Sequence, residues 1–154
     1  MSAVRFVFPK LRLSQLLKEP GGTTVAEAVA QAQENLQSIK PTCVAELGAL
    51  QEQAERALAN WAPGGEAELL LEIYTYAVRA IGAGEVCGVP AVDPALTSLC
   101  DLLDHMRSNQ RFDREAIQVH VQSWRLLMNP ALPAGGAGAV LDGLRRVTQR
   151  YAAD

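Results

Sequence analysis

The chain has 154 residues, 49% of them hydrophobic and 5% aromatic, with a net charge of −3. That length suits one domain with a proper core, and the hydrophobic share excludes a disordered chain. Abundant Ala and Leu favour close-packed helices over sheet. No apolar run approaches a membrane span, and the start, MSAVRFVFPKLRL, is broken by Pro9 and Lys10 before it could form a secretory signal. The expectation is a cytoplasmic protein without membrane insertion. Cys43, Cys87 and Cys100 are odd in number and lack a CxxC, which argues against a disulfide framework or a structural zinc site. Cys43 and Cys100 fall within apolar helical patterns and read as small core hydrophobes.

In chain order, residues 1–22 read as an irregular N-terminal arm. Val4, Phe6 and Phe8 alternate like a short strand up to Pro9, and LRLSQLLKE allows a helical turn or two before Pro20-Gly21-Gly22. The arm's first 18 residues hold Arg5, Lys10, Arg12 and Lys18 and no acid. The stretch 19–104 is strongly acidic, and 105–154 is basic again. Such segregation is satisfied internally or presented to partners.

The first strong helix signal is Thr24-Val-Ala-Glu27, a capping box in which hydroxyl and carboxylate answer free N–H groups reciprocally. Val25, Val29, Ala32, Leu36 and Ile39 follow as an apolar stripe. Pro41 either opens a second helix or kinks a continuous one. Val44, Leu47, Leu50, Ala54, Leu58 and Trp61 carry the next stripe to Pro63-Gly64-Gly65. A helix over 66–81 turns Leu69, Leu70, Ile73, Ala77, Ala80 and Ile81 inward, with Glu66 and Glu68 at its favourable N-terminal end. Gly82 to Val92 is a connection, and Asp93-Pro94 predicts the next helix start. Leu96, Leu99, Leu103 and Met106 line that helix. Asp113 caps another, whose shared face holds Ile117, His120, Val121, Trp124, Leu127 and Met128. Residues 130–138 read as a loop, and Val140, Leu144, Val147 and Tyr151 line the last helix.

The predicted fold is all-α. It is an antiparallel bundle of four core helices with one or two additional helices and the irregular arm. The domain reading is a single helical domain over 1–154, with 1–22 as the arm and 23–154 as the bundle. At least five helices and over ~60% helical residues are expected, against the ordinary ~30–35%. The expected core is Leu36, Leu47, Leu58, Ile73, Leu99, Leu103, Ile117, Trp124, Leu144 and Val147.

Chemistry is sparse. No Walker loop, nucleophile motif or Glu-x-x-His pair occurs, so no metal, cofactor or catalytic residue is assigned. His120 falls on a buried stripe and reads as a hydrogen-bonded core histidine; His105 reads as a surface histidine. A sharper reading makes either a phosphoacceptor, since histidine phosphotransfer domains are four-helix bundles with an exposed histidine. Their usual His-x-x-Lys-Gly is here His105-Met-Arg-Ser-Asn109, with the base one place early and no Gly. A nucleic-acid role would rest on Arg145, Arg146 and Arg150, against an acidic chain of pI near 5.4.

The order of a basic start, Pro20 to Ala28 reading Pro-Gly-Gly-x-Thr-Val-x-Glu-Ala, then Asn35-Leu36 before a second long helix resembles the CheE-type accessory proteins of alphaproteobacterial chemotaxis operons. Val119-His-Val-Gln122 and Trp124-Arg-Leu-Leu127 are similar too. The resemblance implies a small cytosolic helical protein beside a receptor–kinase–response-regulator system, and carries over no catalytic residue. The functional expectation is a non-enzymatic protein-binding or regulatory module in bacterial signal transduction, chemotaxis-related. Its partner would be a chemotaxis or two-component signalling protein, engaged through Arg5, Phe6, Phe8, Lys10 and Arg12. A histidine phosphotransfer protein of a two-component relay is the alternative.

Overall fold

The computed structural model describes residues 21–129, 131–132 and 135–152, and 81% of these are helical. Six helices appear among them: α1 (Val25–Asn60), α2 (Glu66–Ala80), α3 (Ala83–Cys87), α4 (Val92–Ser108), α5 (Arg114–Leu127) and α6 (Gly136–Ala152). No strand occurs among the described residues, and none of their helices is long and apolar enough to cross a membrane. The alternating Val4, Phe6 and Phe8 and the LRLSQLLKE turn lie outside the described residues. The chain divides into two compact units, Met1–Leu36 and Gln37–Asp154.

Within the first unit, the capping box forms as the sequence dictates. The Glu27 N–H donates to Thr24 Oγ1 at 3.2 Å, and the Thr24 N–H donates back to Glu27 Oε2 at 2.8 Å. Those bonds hold the Glu27 carboxyl below its usual range, the backbone bond from Thr24 contributing most. The stripe that follows does not enter the core. Val25 is 82% exposed and Leu36 is 49% exposed, so Leu36 is a correction to the expected core.

In the second unit, α1 continues through Pro41, and of the two readings of that proline the uninterrupted helix holds. Pro41 has no N–H for the Gln37 carbonyl, a local loss the helix absorbs. Past it, Leu47, Leu50, Ala54 and Leu58 are buried. This half of α1 meets α2 through Arg79–Glu46 at 2.9 Å and α5 through Arg125–Glu55 at 3.2 Å. The first pair is exposed on both sides and the second has an exposed Arg125 on a half-buried Glu55, so each contributes little beyond fixing register. Central to the unit is α4, which packs against α2, α5 and α6. Its apolar residues, from Val92 through Leu96, Leu99, Leu102 and Leu103 to Met106, are nearly all inaccessible. The short connections between α1 and α2 and between α4 and α5 make those neighbours antiparallel. The bundle is thus organised on α4, with α2, α5 and α6 packed on it, α5 and α6 also in contact, and the second half of α1 adding its buried Leu47, Leu50, Ala54 and Leu58.

Two turns refine the predicted boundaries. The 82–92 connection contains α3, and α4 begins at Val92, so Asp93 is inside the helix and is not its cap. Asp93 Oδ1 instead accepts from the N–H groups of Gly82 and Gly84 at 3.0 and 3.2 Å, tying α3 to α4. A Cβ on Gly84 would fall 2.9 Å from that carboxylate, so only glycine fits. Asp113 does cap α5: its Oδ1 accepts from the Ala116 N–H at 3.0 Å. Its Oδ2 accepts a hydrogen bond from the Tyr151 hydroxyl of α6. Those bonds, Tyr151 first and the Ala116 N–H second, lower the Asp113 pKa. In α6, Leu144 is buried as expected, but Val147 is only partly buried and its neighbour Thr148 takes the inner position.

Candidate functional site

Arg5, Phe6, Phe8, Lys10 and Arg12, the residues expected to meet a partner, lie outside the described residues. The two histidines are described: His120 belongs to a small polar cluster where α4, α5 and α6 meet, and His105 borders a groove that two other members of that cluster also line.

His120 is 1% exposed on the inner face of α5. Its Nδ1 lies 3.0 Å from the Ala116 carbonyl oxygen. A carbonyl only accepts, so Nδ1 carries the proton and donates, which leaves Nε2 of the neutral ring as an acceptor. Nε2 lies 3.2 Å from both Ser98 Oγ of α4 and Thr148 Oγ1 of α6. The two hydroxyls are 2.9 Å apart, and Thr148 also reaches the Ser98 carbonyl at 3.3 Å. Every polar atom of the cluster has a partner, which is what allows it to be buried. Burial lowers the His120 pKa, opposed by the Ala116 bond, so the ring is neutral. Both ring nitrogens are occupied, which leaves His120 no nitrogen open to a phosphoryl donor. The core reading of this residue therefore holds, and its hydrogen-bond partners explain why Thr148 displaces Val147 from the inner position.

His105 is half-buried instead of fully exposed. It borders a groove of about 440 Å³ between α4 and α6 with Thr97, Asp101, Arg145 and Gln149. Ser98 and Thr148 reach this groove from the cluster beneath. Pro94, Leu141 and Ala152 give the groove apolar walls, while its polar side chains offer hydrogen bonds of both signs, with Asp101 opposing Arg145 in charge.

A second groove, about 460 Å³, runs between α2 and α4. Its lining is mainly apolar, with Leu70, Leu71, Tyr74, Leu103, Met106 and Phe112, and Glu66, Asp104 and Arg107 also line it. Sequence patterning missed it because Leu71 belongs to no inward stripe; a 64% exposed leucine is the signal.

Cys87 and Cys100 offer no activated thiol. Cys100 is buried and its pKa is pushed up to about 11, mainly by burial and further by Asp104 and Asp101. Burial likewise raises Cys87. Both stay protonated thiols, poor nucleophiles and poor ligands. No group of three or more His, Cys, Asp or Glu among the described residues could hold a metal ion. Comparison with family models, curated proteins and solved structures returns no match to this chain.

Proposed function

We propose that this chain is a cytoplasmic, non-enzymatic binding module of bacterial signalling, and that its N-terminal region engages a protein partner. The observation that carries the reading is the capped first part of α1. There Val25, Val29 and Leu36 repeat at helical spacing yet are 82%, 50% and 49% exposed. Large apolar side chains in an ordered row at the surface mark an interaction face more often than chance exposure does. They follow directly on the basic, aromatic residues 4–18. The partner that fits is a protein with an acidic surface around an apolar patch. Charge would speed encounter, and the apolar residues would hold the complex at high salt. The resemblance to CheE-type proteins suggests a chemotaxis component as that partner. Replacing Arg5, Lys10, Arg12 and Lys18 together by Gln tests this: partner association should slow most at low salt while the helical content is unchanged.

The alternative, phosphotransfer, draws on His105 alone. Its support is the shared groove with Arg145, a cation suited to a phosphoryl group. Incubation with a labelled phosphodonor kinase separates the two readings. Acid-labile phosphate on His105 favours the alternative, and an unlabelled chain favours the binding module.

A further inference from the structure

The outward side of α2 carries a second apolar row, in which Leu71 and Val78 stand exposed, Tyr74 is half-buried against the unit's own core, and Ile81 follows as the residue that ends the helix. Ala67, Leu71, Tyr74, Val78 and Ile81 follow at spacings of four, three, four and three, the register of a helix–helix seam. Leu71 is 64% exposed, Val78 47% and Ile81 42%. This row is separate from the buried one, Leu69, Leu70, Ile73, Ala77 and Ala80, and of its members only Tyr74 packs against the fold's core, which leaves Leu71, Val78 and Ile81 unused by the fold. Thr75, which interrupts the outer side, donates its hydroxyl to the Leu71 carbonyl at 2.8 Å and so needs no water. The apolar groove between α2 and α4 flanks the Ala67–Leu71 half of the row.

We propose that this face pairs with the same face of a second copy of the chain, α2 against α2, antiparallel about a two-fold axis near Tyr74. Three features point to a copy of this chain as the occupant. The first is size matching. In an antiparallel pair centred on Tyr74, Leu71 meets Val78 of the other copy and small Ala67 meets large Ile81. The second is the groove. It adjoins Ala67 and Leu71, so the other copy's Val78 and Ile81 fall beside it, and the two-fold repeats the fit. The third is charge. The first half of α2 carries Glu66, Glu68 and Glu72, and its end carries Arg79. The antiparallel register sets Arg79 near Glu68 and Glu72 of the other copy, whereas a parallel pair would stack like charges. Arg79 already bonds Glu46 but has further N–H groups to offer. The face is one helix wide, which places the association at the weak end of specific interfaces.

Sedimentation equilibrium on the full chain, over the widest concentration range its solubility allows, tests this. A reversible dimer is expected. Leu71→Glu and Val78→Glu should each raise its dissociation constant at least about tenfold, because each change occurs twice across the axis. Circular dichroism of each variant should match the parent, since both positions are exposed. Val119→Glu and Leu126→Glu, at the comparably exposed α5 positions, should leave the constant unchanged. Arg79→Glu should weaken the dimer, and Arg79→Glu combined with Glu68→Arg and Glu72→Arg should restore it. A chain that stays monomeric throughout overturns the proposal. So does a dimer indifferent to both α2 changes, or one equally sensitive to those on α5.

Discussion

Truncating Leu144 to Ala tests how α6 is held. Leu144 is 2% exposed, the most buried apolar residue of α6, while Val140 and Val147 on the same stripe are only partly buried. The change removes three carbons. At about 0.8 kcal/mol per buried methylene that is roughly 2.4 kcal/mol of lost transfer energy. The space left where α6 lies on α4 and α5 adds a cavity term, bringing the total to about 3–4 kcal/mol. The control is the same change at Leu36, 49% exposed, where about 0.5 kcal/mol or less is expected. Urea unfolding followed by circular dichroism reads both, with the denaturant slope compared to confirm that the same transition is measured. A loss at Leu144 below about 0.5 kcal/mol, or one no larger than at Leu36, would refute the assigned helix faces.

The remaining predictions are smaller in scope. His120 has a lowered pKa when folded, so its contribution is present above its unfolded pKa of about 6.5 and is lost as the pH falls through that value toward the folded pKa. Urea midpoints of the parent should drop over that window more steeply than those of His120→Gln; parallel curves would contradict the neutral, buried ring. Asp113 and Tyr151 should be coupled, because one carboxylate both caps α5 and accepts from α6. Asp113→Ala should cost about 1–3 kcal/mol, and a double-mutant cycle with Tyr151→Phe should give a coupling above about 0.5 kcal/mol; strict additivity would count against the shared bond. Gly84→Ala should destabilise by pushing the Asp93 carboxylate from the two N–H groups it accepts from, and a thermal midpoint equal to the parent's would contradict that packing.

What the sequence discloses here is mostly local. The Thr24–Glu27 box and the Asp113 cap lie within one helical turn, so their partners are adjacent in the chain and the pattern suffices. Asp93-Pro94 has the same local signature. Its carboxylate is nevertheless taken by Gly82 and Gly84, whose N–H groups come close only once α3 has formed. Apolar periodicity identified the faces of α4 and α5 and most of that of α2, where Ile81, expected inward, is 42% exposed; it reports that a stripe exists and not what covers it. Leu36 and Leu103 sit in equally regular stripes, one 49% and the other 2% exposed. Thr148 escaped for a different reason: a hydroxyl is accepted into a core only because Ser98 and His120, 50 and 28 positions away, supply its partners. His105 is half-buried because α6 folds back beside it, a long-range event with no local mark.

Site-specific photo-crosslinking in the source cell tests most directly the proposal that the N-terminal region meets a protein partner. A crosslinking amino acid at Phe8 or at Val29 should trap one and the same protein, and the yield should collapse when Arg5, Lys10, Arg12 and Lys18 are all replaced by Gln. A crosslinker at Gln118, an exposed position of α5, should trap nothing specific. Different proteins at the two N-terminal positions, or a yield indifferent to the four charges, would contradict the account.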